Sequence, residues 1–337
     1  MNSFIYRKYG PPEVLELVEA PKPAPSDNEI LIRVRAATVS SGDRRLRSLQ
    51  MPLGFGLLGR LVFGIIRPRQ PILGTELAGD VEAVGRAVTS FKVGDQVFAF
   101  SGGRMGCYVE YKCMPANGLV ARKPRNLSYE QAAALSFGGS TMLDFYRRGA
   151  LRSGERVLVN GASGAVGTAA VQLAKHFGAH VTGVCSAVNL ELVRSIGADE
   201  VIDYTNDDIA ASSERFDMIV DTAGTAPFRR SGRLLSRNGR LLLVLASLPD
   251  LLLAPWQSMT SGKRVIAGPA SERAEYQHQL AELAVAGRFI PVIDRCYPFE
   301  QLVAAHRYVD QGHKRGSVVI TVGSARRGDD HRSRRAP

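Results

Sequence analysis

The first third of the chain alternates apolar and polar positions over short runs. "EILIRVRAATVS" (29–40) sets Ile30, Ile32 and Val34 on one side with polar residues between them, the period of a half-buried strand. "ELAGDVEAVG" (76–85) and "VGDQVFAF" (93–100) repeat the pattern, with glycines at the turns. These runs predict a β-rich start. The period then changes. "GERVLVNGASGAVGTAAVQLAKHFGAHVTGVCS" (154–186) reads as strand, glycine turn, helix and strand, with Ala169, Ala170, Leu173, Ala174 and Phe177 on one helix side and Gly178 as the stop. A second helix, "NLELVRSIG" (189–197), leads to "EVIDY" (200–204), then "FDMIVDTAG" (216–224) and "LLLVLAS" (241–247). Apolar strands alternating with helices predict a parallel sheet covered on both faces. A helix at 275–287, a strand entry at 290–299, a helix at 300–312 and a strand at 317–322 follow and are expected to return to the first domain.

With 337 residues there is room for two domains. The start, "MNSFIYRKYG", has no apolar core of a secretory signal, and the longest apolar stretch, "PLGFGLLGRLVFGII" (52–66), is too short and too interrupted to span a bilayer. That stretch is expected to fold on the protein as an apolar lid over the substrate site, with contact to a lipid surface as the alternative. Cys107, Cys113, Cys185 and Cys296 show no CxxC spacing, as suits a reducing cytoplasm. The net charge of +11 is concentrated in two places: six arginines without an acid in 44–69, and the tail 324–337, which reads as disordered. No nucleic-acid-binding pattern accompanies them, so solvated charge is the expectation and nucleic acid is not an expected partner.

Chemistry first enters at the glycine turn. Gly161, Gly164 and Gly167 lie between strand "RVLVN" and helix "TAAVQLAK". There, backbone must approach a pyrophosphate closely, and the helix N-terminus supplies a positive dipole and free N–H groups. Ala162, Ser163, Gly164, Ala165, Val166 and Gly167 are therefore the expected phosphate contacts, although Ala162 replaces one glycine of the usual spacing. No acid ends the second strand, which reads "VCSAVN". An acid there would bind the ribose of NADH and repel a 2′-phosphate, so NADPH is favoured, with NADH weaker, and Ser186, Asn189 and Tyr204 are the candidate phosphate contacts.

Taken together, "NGASGAVGTAAVQLAK", "GTELAGDVEAVG", "VGDQVFAF", "GCYVEY" and "AAALSFGGST" resemble the medium-chain dehydrogenase/reductase superfamily, in particular its zinc-free quinone oxidoreductase (zeta-crystallin-like) branch. The resemblance spans roughly residues 3–322. It implies an α/β fold in which a GroES-like β-rich substrate domain (1–130 and 270–322) joins a Rossmann doubly wound parallel sheet (131–269), leaving 323–337 as a basic tail. Positions that carry zinc ligands in metal-dependent relatives match Ser40, Thr75 and Phe137, none of them a usual ligand, so no zinc is expected. The resemblance further places Thr141 near the nicotinamide and Ser40 and Ser41 toward the substrate. It implies a homodimer joined at the edge of the Rossmann sheet, for which "RLLLVLASLPDLLL" (240–253) offers apolar surface. Without a Lewis acid, the reading is hydride transfer to a quinone or an α,β-unsaturated carbonyl. No tyrosine follows "SSGD" (40–43) where enoyl-thioester reductases carry a proton donor. A nucleotide-binding sensor or scaffold, or a nucleic-acid binder, with incidental activity and an alcohol dehydrogenase remain the alternatives.

Overall fold

A computed structural model describes residues 1–207, 209 and 213–323; the basic tail 324–337 lies outside them. Strands β1 (Asn2–Tyr6) and β2 (Leu15–Glu19) pair antiparallel. The long strand β3 (Glu29–Val39) is followed by helix α1 (Ser41–Ser48), helix α2 (Gly56–Phe63), β4 (Glu76–Val84), β5 (Gln96–Phe100), β6 (Tyr111–Pro115) and β7 (Val120–Arg122). Short helix α3 (Tyr129–Ala133) and long helix α4 (Ser136–Gly149) lead into the second unit.

That unit alternates as the apolar periodicity predicted. It contains β8 (Arg156–Asn160), α5 (Ala165–His176), β9 (His180–Cys185), α6 (Leu190–Ser195), β10 (Glu200–Asp203), β11 (Phe216–Asp221), α7 (Phe228–Ser231), β12 (Leu235–Leu243), α8 (Leu248–Ser261) and β13 (Arg264–Ala267). The six strands are all parallel, in the order β10-β9-β8-β11-β12-β13. This is the Rossmann order, whose switch point falls between β8 and β11 at their carboxyl ends. Gly161, Gly164 and Gly167 stand there.

Helix α9 (Ala274–Val285) crosses back, and β14 (Ile293–Pro298), α10 (Leu302–Asp310) and β15 (Ser317–Thr321) complete the first unit. Its main sheet runs β14-β15-β3-β4-β5-β7, with β6 also paired to β3. Both chain ends thus build one β-rich body around the central α/β unit. The seam between them is apolar: Ala36, Ala78 and Phe98 of the β-rich body share one core with Leu143, Ala169, Leu280 and Phe289. Gly139 of α4 has no side chain because a Cβ would stand 2.5 Å from Leu280.

Two expectations are corrected. Segment 240–253 does not form the sheet edge: β12 lies inside the sheet, between β11 and β13, and the chain then turns into α8. The edge beyond β12 is β13, whose four residues "RVIA" after the polar "SGK" carry too little periodicity to be read from sequence. The stretch 52–66 is not a lid with its apolar side chains folded inward. It forms α2, which buries only a thin face: Gly59 against Met51, and Phe63 at the margin of the β-rich core.

Candidate active site

Four element ends converge at the seam. The turn from β3 into α1 is fixed by a capping box: the Asp43 N–H donates to Ser40 Oγ (3.1 Å), and the Ser40 N–H donates to Asp43 Oδ2 (2.8 Å). Ser40 Oγ also donates to Asp43 Oδ2 at 2.6 Å, so its proton is committed within the cap. Asp43 reaches further, accepting the Gly74 N–H at 3.0 Å through its other oxygen. A fully buried carboxylate therefore ties α1 to the segment that begins β4, and burial pushes its pKa up.

The next two residues complete the joint. Thr75 is buried, and its hydroxyl finds no partner. Glu76 accepts from Thr38 Oγ1 (2.6 Å) and, across the seam, from the Phe137 N–H (2.7 Å). Phe137 is at the second position of α4, a helix whose N-cap residue, Leu135, supplies no side-chain cap. Glu76 thus caps α4 from the other domain, where a carboxylate meets free N–H groups and the positive helix end. Burial pushes its pKa up to about 7. On the first two turns of α4, Phe137 and Thr141 are the positions left partly exposed. At a spacing of four they share one side, and the Phe137 ring lies over Gly42. Thr141 Oγ1 donates to the Phe137 carbonyl at 2.6 Å.

The glycine turn closes the other wall. Gly161 has φ of +80°, a backbone region that side chains disfavour, and a Cβ on Gly167 would stand 2.0 Å from the Gly161 carbonyl. At Gly164 the nearest atom to such a Cβ is 3.7 Å away, so this position faces open space. No side chain caps α5. An open glycine, a packed glycine and an uncapped helix start together make a cradle that fits a pyrophosphate. At the end of β9, Ser186 Oγ accepts from Asn189 Nδ2 (3.0 Å), and the buried Asn189 Oδ1 has no partner. Tyr204, next along from β10, is exposed. Burial and the charge of Asp203 push the Cys185 thiol pKa up to about 11 while Arg194 opposes them, which places a cation near this strand end.

Two residues that sequence reading missed come from the returning chain. The Gly316 N–H donates to the Ser163 carbonyl (2.8 Å), so the loop before β15 lies directly on the phosphate turn. In that loop Lys314 Nζ donates to the Gly316 carbonyl (2.6 Å), and burial pulls its pKa down to about 8 against the fields of Asp294 and Glu76. "GHKRG" gave no periodic signal, and no short-range motif links it to a turn some 150 residues earlier.

Zinc does not fit here. Ser40, Thr75 and Phe137 do come together, but they offer a committed hydroxyl, a lone hydroxyl and a hydrocarbon ring, whereas zinc takes thiolate, imidazole or carboxylate. Among the described residues no group of three or more His, Cys, Asp and Glu is placed to hold a metal ion. An open hollow of about 380 Å³ does exist elsewhere, between α8 and β13, but none of the residues above lines it.

Because ionised Glu76 is poorly solvated, its charge opposes folding. Its folded pKa of about 7 exceeds the ordinary value of 4.5, so its contribution is fully present below pH 4.5 and is lost as pH rises through about 7. At about 1.4 kcal/mol per pKa unit the span is at most about 3.5 kcal/mol. Glu76→Gln is expected to flatten the thermal-stability profile between pH 5 and 8. Melting curves across that range check this, and an unchanged pH slope in the variant would refute it.

A Rossmann unit whose glycine turn fits a pyrophosphate, joined along one seam to a β-rich body, defines a dinucleotide-dependent oxidoreductase of two domains. Comparison with known proteins is specific. Residues 26–125 match the alcohol dehydrogenase GroES-like domain, and residues 196–320 match the family described as zinc-binding dehydrogenase. The chain is 34% identical to a quinone oxidoreductase of Sus scrofa, over 94% of this chain and 96% of the relative. It is 32% identical to the mitochondrial NAD(P)H oxidoreductase RTN4IP1 of Bos taurus, over 96% of this chain and 89% of the relative. The solved structure of the Coxiella burnetii quinone oxidoreductase superposes with a TM-score of 0.84 at 28% identity, covering 96% of this chain and 99% of that one. The chain belongs to the medium-chain dehydrogenase/reductase superfamily, in its quinone oxidoreductase branch.

Proposed function

We propose that the protein is an NADPH-dependent, zinc-independent reductase that passes a hydride to a quinone or an α,β-unsaturated carbonyl compound. The observation that carries this reading is the pairing of an open phosphate cradle at Gly164 with a wall, opposite it, of three side chains that cannot ligate zinc. When bound, the nicotinamide supplies the hydride. The chain's own residues hold and orient it: the uncapped start of α5 takes the pyrophosphate, and the Gly316–Ser163 bond fixes the cradle against the β-rich body. Phe137 presents an apolar face to the cleft, and Thr141 retains acceptor lone pairs there after donating its proton to the helix backbone. Ser41, half-buried in the first turn of α1, and Ser40 beside it line the substrate side in this reading.

The family's activity in this branch supports a quinone acceptor, as named for the Sus scrofa and Coxiella burnetii relatives. Purified protein with NADPH and a panel of quinones and enones, followed by nicotinamide absorbance, tests the reaction. Tight NADPH binding without turnover on any acceptor would sink it. We place the protein in the cytoplasm, in keeping with four free cysteines, and among the described residues no helix is long and apolar enough to cross a membrane. A homodimer joined at the open β13 edge completes the reading; sedimentation equilibrium at micromolar concentration decides it.

Nucleotide preference is the sharper test. Ser186, Asn189 and Tyr204 offer neutral hydrogen bonds to a 2′-phosphate, each strengthened because the phosphate is charged. A tenfold to few-hundredfold preference for NADPH, roughly 1.4–3.5 kcal/mol, is expected. Ser186→Asp should reverse it, since a carboxylate there favours the ribose hydroxyl and repels phosphate. Dissociation constants for both nucleotides check this. Equal binding by the wild type, or an unmoved ratio in the variant, would place specificity elsewhere.

A further inference from the structure

Helix α2 is apolar on both sides. Phe55, Gly59 and Phe63 face the body, while Leu57, Leu58, Leu61 and Val62 are exposed, as are Leu53 before the helix and Ile65 and Ile66 after it. Leu53, Leu57 and Ile66 are 75%, 72% and 86% exposed, so they stand clear of the surface rather than lining a groove. A helix whose outward face is apolar apart from Arg60 is one that something covers.

The same face continues onto a second helix. The Leu248 N–H donates to the Leu53 carbonyl at 2.9 Å, and Gly54 is a glycine where a Cβ would stand 2.6 Å from Leu248 Cβ. Leu248 opens α8, and from it the helical period leads to Leu252, Trp256 and Met259, all exposed, with Met259 at 85%. Two helices from different domains thus present one apolar ridge, joined at Leu53 and Leu248.

Its border is basic. Arg60, Arg67 and Arg69 are exposed, and none takes part in an ion pair among the described residues. Arg60 and Arg69 both lie within the field of Tyr9, whose hydroxyl donates to the Gly64 carbonyl, so they cluster at one end of α2. Segment 44–69 contains no acid at all. The acids that flank it in the chain are engaged elsewhere, Asp43 in the buried cap of α1 and Glu76 at the start of α4, and the acid of α8, Asp250, is held in a capping box at its start.

We propose that this ridge docks the protein peripherally on an anionic lipid bilayer, with the α2 and α8 side chains entering the headgroup and acyl boundary and the three arginines meeting lipid phosphates. Charge decides the occupant. The homodimer proposed above pairs through the β13 edge; a second copy seated on this face would meet Arg60, Arg67 and Arg69 with a segment, 44–69, that offers no carboxylate to pair them, whereas an anionic surface supplies that charge. Shape agrees: leucines and isoleucines that protrude along the ridge, such as Leu53, Leu57 and Ile66, suit insertion into a fluid apolar layer better than a fitted protein interface. This docking stands apart from the reaction proposed above; if both hold, it would bring the cleft to quinones dissolved in the bilayer.

Trp256 is the only tryptophan of the chain and sits on the ridge, so it reports insertion directly. The full-length protein should co-sediment with vesicles of phosphatidylcholine containing 30 mol% (about one third) phosphatidylglycerol, shift its tryptophan emission to the blue, and bind pure phosphatidylcholine vesicles on the order of a hundredfold more weakly. Binding should fall with added salt. Each of Arg67→Glu and Arg69→Glu should lower the partition coefficient at least about fivefold. Leu57→Asp with Leu61→Asp, on a face that is already exposed, should abolish both the binding and the blue shift while leaving the melting temperature unchanged. Absence of binding to the anionic vesicles overturns the proposal. Binding without a blue shift, or binding that survives the Leu57/Leu61 change, overturns the assignment of the ridge. A blue shift that instead tracks protein concentration without lipid, and is lost in the same variant, assigns the face to self-association and likewise overturns it.

Discussion

Gly167→Ala is expected to eliminate measurable nucleotide binding and to destabilise the fold by more than about 3 kcal/mol, the range of severe overpacking. The added methyl would stand 2.0 Å from the Gly161 carbonyl and 2.9 Å from the Ala162 backbone. Neither is the end of a flexible side chain, so α5 would have to move away from β8. That movement breaks the register between the turn and the helix start, which are the two halves of the phosphate cradle. Gly164→Ala is the contrast. There the new methyl meets nothing closer than 3.7 Å within the protein, so the fold should survive while the pyrophosphate is obstructed. Calorimetric titration with NADPH, beside thermal melts, separates the two. A Gly167→Ala protein that melts as the wild type and still binds nucleotide would show that the close approach is not required.

The second large effect lies beneath the cleft. Arg47, 1% exposed, donates from Nη2 to Asp310 Oδ2 (2.6 Å) and from Nε to the Gly10 carbonyl (3.2 Å), and its Nη1 stands 3.1 Å from His306 Nδ1. Three distant segments, at the N-terminus, on α1 and on α10, meet on one guanidinium. Burial and the neighbouring cation push the His306 pKa well below its usual value, so the imidazole is neutral and accepts. Asp310→Ala leaves a buried guanidinium without its counter-charge and is expected to cost about 3–5 kcal/mol. Arg47→Met combined with Asp310→Ala removes the uncompensated charge as well, and should be no less stable than Asp310→Ala alone. Urea unfolding of these two variants and of Arg47→Met alone checks the order. If the double variant is weaker by the sum of both single losses, the pair is not acting as a coupled unit.

Much of this architecture was legible in the chain, because its signals are short-range. Alternation in 29–40 and 76–85 marks strands, although β3 proves buried on both faces, and the strand–glycine–helix order at 156–176 fixes both the βαβ unit and the glycine turn. Those residues act through backbone that lies close in sequence, so their pattern suffices. The absence of zinc-type ligands at Ser40, Thr75 and Phe137 is likewise a matter of residue identity.

Only the tertiary structure decided the rest. That Glu76 caps α4, that Gly316 bonds the glycine turn at Ser163, and that Arg47 gathers Gly10, His306 and Asp310 all depend on chain separations of roughly 40 to 260 residues, over which sequence spacing carries no geometry. The sheet edge at β13 escaped the pattern because four residues cannot display a period, while the more apolar 240–253 turned inward and then coiled into α8. The outward apolar face of α2 escaped it for a related reason. Hydropathy counts apolar residues, but which of them are buried depends on how closely Gly59 lets the helix approach Met51, and on Leu53 meeting Leu248 from the other domain.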